Sequence, residues 1–70
     1  MTQLEAVRWL QSDGTPIACR EKLRVLAENQ AELSQVMQDA FDDAVLMGVD
    51  EAVMRDTLVR MVAGLKTPRR

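Results

Sequence analysis

The chain has no histidine and no tyrosine, and only one cysteine, one tryptophan and one phenylalanine in 70 residues. Each scarcity excludes something. With no histidine, two serines (Ser12 and Ser34) and no glycine-rich loop, it lacks the inventory of the common nucleophilic, metal-binding and phosphate-binding sites. An enzyme is therefore the least expected class, and no cofactor or metal is expected. Aromatic residues at 3% argue against a sandwich or barrel. The lone Cys19 cannot close an intrachain disulfide. No run approaches the roughly 20 apolar residues needed to span a bilayer. The start, Met1-Thr2-Gln3-Leu4-Glu5, has neither the basic leader nor the apolar stretch of a signal peptide. A cytoplasmic protein without a membrane segment is the expectation.

What is present favours helices. Apolar residues make up 47% and charged residues 29%, dominated by good helix formers, and 70 residues leave room for one small core. The expected fold is all-α with three helices, over about 3–11, 16–47 and 51–65. Residues 1–66 form a single helical domain and 67–70 a flexible basic tail.

Thr2 and Glu5 have capping-box spacing, and Leu4, Val7 and Leu10 form an apolar stripe with Trp9 at its edge. Ser12-Asp13-Gly14 then reads as a helix stop and Thr15-Pro16 as a new start. From Pro16 to Met47 nothing breaks the helical pattern. Cys19, Leu23, Leu26, Gln30, Leu33, Met37, Ala40, Ala44 and Met47 alternate in steps of four and three, a heptad seam. A kink near Glu28-Asn29-Gln30, giving two helices, is the rival reading. Gly48 ends the long helix, Asp50 caps the next, and Glu51 complements its dipole.

The seam is too long for two short flanking helices to cover, and Val36, Phe41, Val45 and Leu46 broaden its second half. Self-association is the expected remedy, an antiparallel homodimeric bundle with an interface at Leu23, Leu26, Gln30, Leu33, Met37 and Phe41. The alternatives are a core closed by the chain's own hairpin, or a Met-lined groove (Met37, Met47, Met54, Met61) for another protein.

Charge is distributed unevenly. Residues 25 to 54 hold Glu28, Glu32, Asp39, Asp42, Asp43, Asp50 and Glu51 and not one Lys or Arg, a segment of −7 within a chain of net −2. Residues 55 to 70 sum to +4. Asp39, Asp42 and Asp43 lack a cation three or four residues away, whereas Glu51–Arg55 and Asp56–Arg60 have helical pair spacing. Two readings follow, a solvated face or a docking surface for a basic protein. The candidate partner-binding residues are Asp39, Asp42, Asp43, Asp50, Glu51 and Trp9, the tryptophan serving otherwise as an anchor for its own helix. Carboxylates on a rigid helix rarely supply the six or more oxygens that calcium requires.

Ala44-Val45-Leu46-Met47-Gly48-Val49, with Met54 beyond, resembles part of a helix-turn-helix motif, in which a small residue precedes the turn glycine by four. That resemblance implies DNA binding through the second helix. Here, however, that helix opens with Asp50, Glu51 and Ala52, which phosphates would repel, and Asp43 and Thr57 stand where the motif packs apolar residues. The expected function is a small non-enzymatic protein–protein interaction module, a regulator, inhibitor or adaptor. The alternative is a dimeric nucleic-acid-binding regulator using its basic termini.

Overall fold

The computed structural model describes residues 7–68, which contain two α-helices and no β-strand. Helix α1 spans Arg20–Leu46 and helix α2 spans Glu51–Ala63. The chain forms two compact units, Met1–Ala31 and Glu32–Arg70, and α1 contributes to both.

In the first unit the expected helix over 3–11 is not formed across residues 7–11, and residues 1–6, with the Thr2/Glu5 box, lie outside the described residues. Among the described residues the fold thus has two helices, not the expected three. Residues 9–17 instead double back on themselves. Ile17 N–H donates to the Trp9 carbonyl (2.8 Å), Gln11 N–H donates to the Thr15 carbonyl (2.7 Å), and Leu10 and Pro16 form an isolated antiparallel bridge. At the tip, Gly14 has φ +90°. Asp13 Oδ1 accepts from both the backbone N–H (3.0 Å) and the hydroxyl (2.7 Å) of Thr15.

These bonds explain the misreading. A glycine at positive φ suits a hairpin tip as well as a helix end, and the Thr15 hydroxyl donates to Asp13 instead of capping a helix. Pro16, expected as a first helical residue, lies in the bridge. The first bond into α1 runs from Leu23 N–H to the Cys19 carbonyl (3.0 Å), so the helix begins four residues later than the sequence implied. Cys19 is exposed and precedes the helix. Trp9 and Ile17 are half-buried, as are Leu23, Leu26 and Gln30, which share one face of α1 by their three- and four-residue steps.

Helix α1 runs unbroken through Glu28-Asn29-Gln30 for 27 residues, roughly 40 Å. Its end is a Schellman motif. Gly48 takes φ +104°, its N–H donates to the Val45 carbonyl (3.0 Å), and Val49 N–H reaches back to the Ala44 carbonyl (2.9 Å). Asp50 then caps α2, its Oδ2 accepting from the N–H groups of Ala52 (2.9 Å) and Val53 (3.2 Å). The short turn folds α2 back beside the second half of α1. A 13-residue helix is marginal in water by itself, so α2 depends on this packing. It ends at Ala63, two residues short of the expected boundary, where the Gly64 N–H donates to the carbonyls of Arg60 and Met61 and the Leu65 N–H to that of Val62.

The interior of this second unit is slight. Ala44 is the one buried hydrophobic residue among those described, at 7% exposure. Ser34, Ala40, Phe41 and Val45 of α1 and Met54 and Leu58 of α2 are half-buried.

Candidate functional site

Two surfaces of the second unit follow from helical geometry. Phe41 and Ala44 lie on the side of α1 turned to α2, where the Arg55 guanidinium sits 4.7 Å from the centre of the Phe41 ring. Arg55 also approaches Glu51 on its own helix, at 3.9 Å. This cation–π contact was missed in the sequence because the partners are 14 residues apart and only the turn at Gly48 brings them together.

Asp39, Asp42 and Asp43 lie roughly 120–160° around α1 from Met37, on the side facing away from the hairpin. Asp39 and Asp42 each accept an amide hydrogen from the glutamine one turn earlier, Gln35 Nε2 and Gln38 Nε2, both at 2.9 Å. These neutral bonds orient the carboxylates without cancelling their charge. The ion pairs among the described residues are Arg24 with Glu21 and Glu28, Arg55 with Glu51, and Arg60 with Asp56. None reaches Glu32, Asp39, Asp42 or Asp43. All four pairs are exposed, and such pairs contribute only about 0.3–0.5 kcal/mol each.

The other candidate residues of the acidic segment have local work. Asp50 spends its carboxylate on the α2 cap and Glu51 pairs with Arg55. Trp9 lies in the first unit, apart in sequence from the acidic triad, with its carbonyl held by Ile17. The structure therefore groups Asp39, Asp42 and Asp43 on one face and leaves Asp50, Glu51 and Trp9 in other settings. Asp13 has a shifted acidity. The hydrogen bond from the Thr15 hydroxyl, helped by the Thr15 backbone N–H, holds its carboxyl below the ordinary value.

The second surface is apolar. Leu33 and Met37 of α1 with Leu58, Met61 and Val62 of α2 and Leu65 beyond it line an open groove of about 210 Å³. Leu33 and Met37 belong to the expected dimer interface; Leu58, Met61, Val62 and Leu65 do not. Of the remaining interface residues, Leu23, Leu26 and Gln30 are half-buried in the first unit and Phe41 is covered by Arg55. A separate cleft in the first unit is lined by Ile17, Glu21, Lys22, Val25 and Leu26.

At the helix-turn-helix-like segment, Asp50 and Glu51 open the second helix, and Thr57 donates its hydroxyl to the Val53 carbonyl (2.8 Å). Among the described residues no three His, Cys, Asp or Glu side chains gather into a metal-sized group, and no helix is long and apolar enough to cross a membrane. Comparison of the chain with models of known protein families, with curated protein sequences and with solved structures returned no match.

Proposed function

We propose that the protein is a small non-enzymatic interaction module, homodimeric, that regulates, inhibits or adapts a partner protein by presenting the acidic face of α1 to a basic surface. The observation that carries this reading is the grouping of Asp39, Asp42 and Asp43 on one helix face with no ion pair among the described residues, inside a segment of −7. Unneutralised carboxylates on a rigid helix form a fixed field that steers and orients association with a basic patch. The alternative, nucleic-acid binding through basic termini, is less well supported. Arg55 and Arg60, two of the five cations in residues 55 to 70, are already paired on α2.

The test is capture of a partner with the purified protein, followed by association kinetics for the parent and for a variant with Asp39, Asp42 and Asp43 changed to Asn. Asparagine keeps an acceptor oxygen for Gln35 and Gln38, so the fold is retained. It also removes the like-charge contact of Asp39 and Asp43, one turn apart. The triple variant should associate more slowly, and added salt should slow the parent more than the variant. Equal rates for both proteins would make this face a solvated surface only. Binding to generic duplex DNA that weakens steeply with salt would favour the alternative.

A further inference from the structure

The apolar groove between Leu33 and Met37 on α1 and Leu58, Met61, Val62 and Leu65 carries no charged side chain. Its walls stand open, with Leu33 60% exposed, Met61 64% and Leu65 77%. We infer that a second copy of this chain occupies it, the α1–α2 hairpin of one copy laid on that of the other about a two-fold axis, so that four helices enclose one core. This rests on the homodimer of the proposed function and names its face.

Two observations favour a second copy over a foreign occupant. The first is the interior. With Ala44 the one buried hydrophobic residue among those described, the hairpin lacks the apolar burial that offsets the entropy of folding, so its cover must be present whenever the chain is folded. A second copy meets that condition wherever the chain stands above the dissociation constant of its dimer, whereas a partner bound intermittently does not.

The second is charge. The acidic face centred on Asp39 lies roughly 160° around α1 from Met37, so two copies can join groove to groove with those carboxylates outward. A basic partner would be drawn to that outer face. Because both helices supply apolar side chains to one face, the patch is complementary to itself, as a two-fold contact requires.

Sedimentation of the full chain at micromolar concentration should give twice 7.9 kDa. In a mixture of isotope-labelled and unlabelled protein, filtered NMR should detect contacts between copies among the methyl groups of Leu33, Met37, Met61, Val62 and Leu65. Met61→Glu should weaken the dimer by roughly 100-fold or more. The variant with Asp39, Asp42 and Asp43 changed to Asn should remain dimeric. A mass of 7.9 kDa, folded or unfolded, would overturn the inference, because the cover would then be another protein. Contacts between copies confined to Leu23 and Leu26 would overturn this face while leaving the homodimer itself intact. Loss of partner binding is read on the triple variant, so failure of the acidic-face reading leaves the dimer result untouched.

Discussion

Gly48 and Gly64 each follow the end of a helix, yet alanine should act on them with opposite sign. Gly48 has φ +104°, and holding an L-residue in that left-handed region costs roughly 1–2 kcal/mol. A Cβ built there meets nothing within 4 Å, so packing neither adds to nor offsets the strain. Restriction of the unfolded chain returns about 0.4–1 kcal/mol, which leaves Gly48→Ala destabilising by about 1 kcal/mol. Gly64 has φ −84°, and its Cβ would sit 3.5 Å from the Arg60 carbonyl oxygen and 3.6 Å from that of Met61, ordinary contact distances. There the unfolded-state effect is unopposed, and Gly64→Ala should stabilise by about 0.4–1 kcal/mol. In a domain of this size about 1 kcal/mol moves Tm by roughly 4–8 °C, which thermal unfolding followed by circular dichroism resolves at fixed protein concentration. Gly48→Asn should recover part of the loss, since asparagine tolerates the left-handed region. Gly48→Val should do worse than alanine, because a β-branched residue is more strained there. If the two alanine variants shifted Tm in the same direction, or Gly48→Ala matched the parent, the chain would not turn at residue 48 as described.

Two further outcomes follow from single side chains. Asp50→Ala should lower stability by about 1 kcal/mol in urea denaturation by removing the α2 cap. Asp50→Asn keeps an acceptor oxygen and should stay near the parent; a large loss would mean that the charge matters more than the cap. Asp13, held below its ordinary value by Thr15, adds stability at pH above that value and loses it as pH falls through the lowered one. An NMR titration should find the Asp13 carboxyl moved upward in Thr15→Val, which lacks the hydroxyl but keeps the backbone N–H, and no movement would refute the assigned cause.

Where the reading of the sequence held, the signals were local and complete. Gly48 had to leave the helix with positive φ, and Asp50, two residues on, had a side chain of the right length to reach the next free amides. The periodicity that made α1 long and unbroken depends only on neighbours three and four residues away. The same kind of evidence failed at residues 7 to 19, because Gly14, Thr15 and Pro16 suit two structures. The choice between them was made by bonds across the turn, from Ile17 to Trp9 and from Gln11 to Thr15, that no helical periodicity encodes.

The acidic segment, too, was legible as a count of charges. Its division into a cap at Asp50, a pair at Glu51 and a face at Asp39, Asp42 and Asp43 without an ion pair among the described residues needed positions in space. Local hydrogen bonding and charge spacing are written along the chain, so they determined the helices, the turn and the acidic run. The stacking of Arg55 on Phe41, and the groove that joins Leu33 and Met37 to Met61, Val62 and Leu65, bring together residues 14 to 32 positions apart. Only the fold-back of α2 on α1 creates such contacts, and so the tertiary structure alone decided them.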